Sequence, residues 1–166
     1  DKARNEIEAV CQGGPLTYEH LRKLDVLRAV YRESLRLYPP VSFIPREATH
    51  RQTIRDKTVE KGDLLLAAPW LVHRNPDNWA CPHQFAPERF TDPETAKQAR
   101  QAWIPFGQGP RVCIGAAFAQ QEAAVVLATI LRAFRLTMPE GAPRPELTAR
   151  LTLRPKAGFP LVLTPV

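Results

Sequence analysis

Cys113 sits where a glycine-punctuated loop meets the start of an alanine-rich run, in the stretch Trp103 to Phe118, WIPFGQGPRVCIGAAF. Phe106, Gly107 and Gly109 permit a tight backbone that can approach another group closely. Pro110 stiffens the loop, and Arg111 places a fixed positive charge two residues before the sulfur. From Ile114 onward the composition is helical. A thiol at a helix N-terminus meets unpaired amide N–H groups and the positive end of the dipole, which favour its thiolate. Such a thiolate can serve as a nucleophile, a redox group or a metal ligand. A cysteine nucleophile needs a histidine base, a dithiol site needs C-x-x-C spacing, and zinc needs three more ligands. His20, His50, His73 and His83 are scattered without paired spacing.

Haem iron needs only one thiolate from the protein side, because the porphyrin supplies the in-plane ligands. Phe106-x-x-Gly109-x-Arg111-x-Cys113-x-Gly115 resembles, position for position, the haem-thiolate loop of the cytochrome P450 family. The resemblance implies a mostly α fold with small β-sheets (α+β), of which this chain is the C-terminal part. It implies haem b as cofactor, with Cys113 as the axial iron ligand. Phe106, Gly107, Arg111, Ile114, Gly115 and Ala119 would lie against the cofactor, Phe106 shielding the sulfur and Arg111 pairing with a propionate. Arg46 would meet a propionate from another side. The implied reaction inserts one oxygen atom from O2 into an apolar organic substrate, with electrons from a flavin or iron–sulfur donor. No catalytic side chain is expected in this stretch, since the family's distal helix with its acid–alcohol pair is not in it, and the stretch alone is expected to be inactive. Two other readings stay open. A haem-thiolate isomerase or peroxidase-type relative would be suggested by a long insertion in the cysteine loop, and none is present. A non-catalytic or decayed, basic interaction module is opposed by the intact set Glu33, Arg36, Arg89, Phe106, Arg111 and Cys113.

The elements that must hold this loop can be read in order. Residues 1–38 read as a helix pair. Ile7, Val10 and Cys11 mark the first, which Gly13-Gly14-Pro15 stops, and Thr17 caps a short turn. Leu24, Leu27, Val30, Tyr31, Ser34, Leu35 and Tyr38 trace one face of the second, which ends at Pro39-Pro40. Glu33 and Arg36 stand at i, i+3 on another face. Taken alone, Glu-x-x-Arg is an ordinary solvated pair contributing under ~1 kcal/mol. The resemblance implies more: Glu33, Arg36 and Arg89 of Phe85-Ala-Pro-Glu-Arg-Phe90 would form a buried cluster that locks a proline-rich meander onto the helix.

Residues 41–68 read as two or three short strands, with Val41–Ile44, Arg46–Arg55 and Leu64–Ala68 as the candidates. By resemblance Val41, Ser42, Phe43 and Ile44 line the substrate pocket. Residues 83–105 read as an irregular meander, with Thr91–Ala102 a surface loop or short helix. The haem-thiolate loop spans 105–115. Residues 115–134 read as one long helix, apolar nearly all round and therefore largely buried; Ala116 and Ala119 leave room for a flat macrocycle. Residues 135–166 read as a β-hairpin tail, with strands at Thr148–Leu153 and Leu161–Leu163 around a turn; by resemblance, its Ala157 to Phe159 tip would touch substrate. Cys11 and His73 read as packing residues, and Cys81 carries no recognisable chemistry.

Composition bounds the rest. Seventeen prolines in 166 residues predict long irregular connections. The net charge of +6 suits an acidic partner or a mixed surface. No basic stretch is interleaved with aromatics, so nucleic acid is not expected. No apolar run of ~20 residues predicts a membrane span. An odd number of cysteines fits a reducing, cytoplasmic setting, compatible with an anchor ahead of Asp1.

Overall fold

The computed structural model describes residues 1–150 and 152–166. Its helices are α1 (Lys2–Cys11), α2 (Tyr18–Leu21), α3 (Asp25–Leu37), α4 (Pro69–Val72), α5 (Pro93–Ala102) and α6 (Ala116–Ala133). The strands are β1 (Ile44–Glu47), β2 (Gln52–Ile54), β3 (Lys57–Val59), β4 (Leu64–Ala67), β5 (Phe134–Thr137), β6 (Leu147–Ala149), β7 (Leu153–Pro155) and β8 (Val162–Pro165). They form four antiparallel pairs: β1 with β4, β2 with β3, β5 with β8, and β6 with β7.

α3 is the central element because it is apolar on two sides. Leu24 and Leu27 enter one core with Ile7 and Cys11 of α1, Leu21 of α2, and Ala124 and Ala128 of α6. Ala29 enters a second core with Trp79, Phe90, Ala99 and Ala102. Cys11 is thus a small buried apolar residue.

Helix ends are satisfied by side chains remote in sequence. Leu24, at the N-cap of α3, offers no capping side chain. Glu6 of α1 caps the helix instead, its two carboxylate oxygens accepting from Val26 N at 2.8 Å and Leu27 N at 3.0 Å. These are two of the orphan donors that every helix start presents, and the negative charge sits at the positive end of the dipole. Glu6→Ala is expected to lower stability by about 1–2 kcal/mol, with Glu6→Gln intermediate, in urea denaturation followed by circular dichroism. At the other end of the bundle, buried Arg4 donates to the carbonyls of Leu131 (2.9 Å) and Phe134 (2.6 Å), closing α6.

Three expectations from sequence need correction. Residues 41–68 hold four strands, not two or three, because Arg46–Arg55 is interrupted: buried Ala48 pulls the chain inward, where its amide donates to Asp63 O at 2.9 Å. Of the two readings of Thr91–Ala102, the helix is the one that forms: α5 buries Ala96, Ala99 and Ala102. α6 is a long helix but is not largely buried. Among the described residues its packed side faces α1, α2 and α3, so Ala124 and Ala128 are buried while Val125, Val126 and Phe118 are 40%, 48% and 71% exposed. In the tail, β8 returns to β5, and the hairpin is β6–β7, with Ala149 opposite Leu153, rather than one turning at 154–160. The strand read over 148–153 includes Leu151, which lies outside the described residues.

Candidate functional site

Phe106 O accepts from Cys113 N at 2.9 Å, closing the loop across its glycines. Gly107 and Gly109 both take positive φ, +75° and +73°, where other L-residues are strained. A Cβ at Gly107 would stand 3.6 Å from Ile44 Cδ1, so the loop lies against the start of β1. Arg111 ends a short 3-10 turn and is exposed. Cys113 is a free, exposed thiol two residues before Gly115, the N-cap of α6.

The surface around that sulfur is apolar and uncovered. Ile114 is fully exposed, Phe118 is 71% exposed and Val112 50%. Ala119, one turn into α6, is half-buried, and a Cβ at Gly115 would stand only 3.9 Å from the Cys113 sulfur. Small residues beside the thiol and large apolar ones flanking it make a face that a flat apolar group can cover. Among the described residues, no cluster of three or more His, Cys, Asp or Glu is placed to hold a metal ion. Thiol, small residues and apolar rim fit a porphyrin.

Behind the loop lies a dense polar cluster. Arg36 and Glu33 are fully buried on the last turns of α3. Arg36 Nε and Nη2 donate to the two Glu33 carboxylate oxygens at 2.7 and 2.9 Å. Its remaining N–H groups reach three carbonyls: His73 and Pro82, both at 2.7 Å, and Gln84 at 3.0 Å. Every N–H of the guanidinium is thereby used. Glu33 also accepts from Ala86 N at 2.8 Å and Arg89 Nε at 3.2 Å. Arg89 in turn donates to Ala80 O at 2.7 Å and Cys81 O at 3.1 Å. The meander and the turn after α4 thus hang on three side chains.

His73 ties this cluster to the loop. It follows α4, is fully buried, and its Nδ1 lies 3.1 Å from Arg36 O. Ile104 N donates to its Nε2 at 2.9 Å. An acceptor Nε2 requires the proton on Nδ1, so the hydrogen bonds fix a neutral tautomer. Burial, with Arg36 and Arg74 nearby, pushes the imidazole down from 6.5 to about 4, against the opposing pull of the Arg36 carbonyl. Ile104 is two residues before Phe106. His73, read from sequence as packing, thus positions the entrance of the cysteine loop; a lone histidine in His-Arg-Asn-Pro gives no local sign of that partner. Trp103, directly after α5, ties the loop to α3 as well, donating Nε1 to Arg32 O at 3.0 Å and packing edge-on against Phe106 with centroids 5.9 Å apart.

The remaining candidates are dispersed. Val41 and Phe43 are exposed, Ser42 and Ile44 half-buried. Pro40 O accepts from Leu153 N at 2.8 Å, which brings the start of β7 beside this segment. Phe159 lines a cavity of about 540 Å³ with Tyr38, Leu147 and Leu153. Arg46 is exposed on β1 and donates to Pro45 O at 2.7 Å.

The family model described as Cytochrome P450 matches residues 1–162. The chain is 36% identical to the Arabidopsis thaliana protein "Cytokinin hydroxylase" over 168 residues, covering 100% of this chain and 32% of that protein. It is 37% identical to "Cytochrome P450 6a2" of Drosophila melanogaster over 143 residues, 83% of this chain and 28% of that one. The crystal structure of the cytochrome P450DA heme domain superposes with a TM-score of 0.90 at 29% identity, over 99% of this chain and 36% of that one. The chain spans less than a third of the length of these curated relatives.

Proposed function

The chain belongs to the cytochrome P450 family, whose cofactor is haem, and from this we propose that Cys113 is the axial ligand of the haem iron in a monooxygenase acting on an apolar organic substrate. The observation that carries the reading is the exposed Cys113 thiol on a hydrogen-bond-closed loop, rimmed by uncovered Ile114, Phe118 and Val112. When bound, the cofactor supplies oxygen activation, which an axial thiolate promotes by donating electron density.

The chain's own residues prepare that site. The loop fixes the sulfur's direction through the Phe106–Cys113 hydrogen bond. Phe106, held edge-on by Trp103, keeps water from the sulfur. Gly107, Ile114, Gly115 and Ala119 give the macrocycle room and an apolar bed. Arg111 and Arg46, both exposed cations, pair with propionates. Glu33, Arg36 and Arg89 hold the meander under the loop and take no part in the chemistry. Val41, Ser42, Phe43 and Ile44 face substrate, joined by Phe159, and Ile44 packs close to the loop at Gly107.

Residues 1–166 are read as the C-terminal part of one domain. Proton delivery is assigned to other parts of the protein, so this stretch alone is inactive. Electrons come from a flavin or iron–sulfur donor, and the surplus positive charge of +6 favours an acidic one. Free thiols at Cys11, Cys81 and Cys113 suit a cytoplasmic setting. No helix among the described residues is long and apolar enough to cross a membrane.

The decisive measurement is the absorption spectrum of the reduced, carbon-monoxide-bound haem protein, wild type against Cys113→Ser. A strongly red-shifted Soret band is expected, abolished by the substitution. A band of ordinary position, or one unchanged in Cys113→Ser, would remove Cys113 from the iron.

A further inference from the structure

A second concave site opens between α3, the Pro87–Phe90 turn and the first two turns of α6. Its volume is about 300 Å³. Three arginines line it: Arg22, from the end of α2, and Arg28 and Arg32 from one face of α3. Thr91 and Gln120 add polar groups, and Phe90 and Leu21 an apolar floor. One carboxylate is present, Asp25, and it is engaged with Arg28 at 2.5 Å.

The charge in this cleft is unbalanced. Among the described residues, the salt bridges engage Arg28 but neither Arg22 nor Arg32. Arg32 is half-buried, with its guanidinium 5.9 Å from the Trp103 ring centroid. Burial, then Arg28 and Arg100, make its charged state harder to hold, and Asp25 only partly offsets them. A half-desolvated guanidinium beside like charges in a cleft is stabilised by an anion that several of them can share.

We propose that this cleft binds a small phosphate-bearing anion. Three guanidinium groups against one aspartate leave two positive charges, and a phosphate monoester carries about −1.5 to −2 near neutral pH. Guanidinium groups arriving from α2 and α3, with a hydroxyl and an amide, suit the several oxygens of a tetrahedral phosphate better than one planar carboxylate. The cleft has room beyond the phosphate itself, so the apolar floor receives the organic part of a small ester. The inference is independent of what Cys113 binds.

The experiment is isothermal titration calorimetry of inorganic pyrophosphate and of AMP into the purified protein at low ionic strength, where screening is least. Saturable binding is expected. It should weaken about tenfold or more in Arg22→Gln, whose exposed side chain can be changed without disturbing the core, and in Arg32→Gln. Arg51→Gln, a surface arginine just ahead of β2, should leave it unchanged. Pyrophosphate should also raise the melting temperature of the wild type more than that of Arg22→Gln. Three results overturn the proposal: no saturable binding, an equal loss in Arg51→Gln, or a short polyglutamate peptide binding as tightly as pyrophosphate. The last would make the cleft a docking patch for an acidic protein.

Discussion

Arg36→Met is expected to cost about 3–5 kcal/mol, because it leaves the Glu33 carboxylate buried without its main counter-charge. Against a typical total stability of about 5–15 kcal/mol, that is the largest effect predicted for any single side chain here. Part of the cost is electrostatic and part is hydrogen bonding, since the carbonyls of His73, Pro82 and Gln84 lose their donor together. The double variant Glu33→Met/Arg36→Met separates the two parts. Were charge pairing the whole role, removing both charges would restore most of the stability, as apolar replacement of buried pairs often does. The carbonyl bonds argue otherwise. The double variant is expected to remain well below wild type, with Arg89 and Ala86 N also left without Glu33. Arg36→Lys should rescue little, since an ammonium has three donors and no planar fork. Urea denaturation of the three variants, followed by circular dichroism, reads all of this. A single variant within 1 kcal/mol of wild type would show that water replaces the guanidinium.

What the sequence discloses about this cluster, and what it hides, follows from where each bond goes. Glu33 and Arg36 are legible as a pair because i, i+3 spacing is a property of the helix itself. The bonds of Arg36 to three carbonyls are not, because a backbone acceptor leaves no mark on residue identity. For the same reason the capping role of Glu6 is hidden: it lies some twenty positions before the amides it caps. The cysteine loop is the most legible part, since its turn geometry is local and rests on glycines at positive φ. α5 does leave a signal in Ala96, Ala99 and Ala102, whose spacing of three marks a buried face. The tail misleads because period-two alternation identifies a strand without naming its partner. β8 pairs with β5 across the whole β6–β7 hairpin, so neighbours in sequence are not neighbours in the sheet. The apolar girth of α6 is legible as well, but burial depends on what packs against a helix, and among the described residues one side of α6 is left uncovered.

Acid should weaken the fold through His73. Its folded pKa, about 4, lies below the ordinary 6.5, so the unfolded chain binds the proton more readily than the folded one does. Stability from this group is therefore fully present above pH 6.5 and is lost as pH falls toward 4. A separation of that size corresponds to about 3 kcal/mol over the whole window, most of it gone by pH 5. The physical event is definite: protonation at Nε2 turns the acceptor of the Ile104 amide into a donor, and two N–H groups then face each other in a buried site. Arg36 and Arg74, the charged neighbours, add repulsion to the imidazolium. His73→Phe keeps a flat ring against Trp79 but strands Ile104 N and Arg36 O, so it should be less stable at pH 7 by about 2 kcal/mol. Its stability should also change less than that of wild type between pH 7 and 5. Subtracting the two pH profiles removes every other titrating group and leaves that of His73. If the difference is flat across the window, the imidazole is not the proton-sensitive link between α3 and the cysteine loop. If it slopes as expected, the loop that carries Cys113 is held in register by a histidine that works only while neutral.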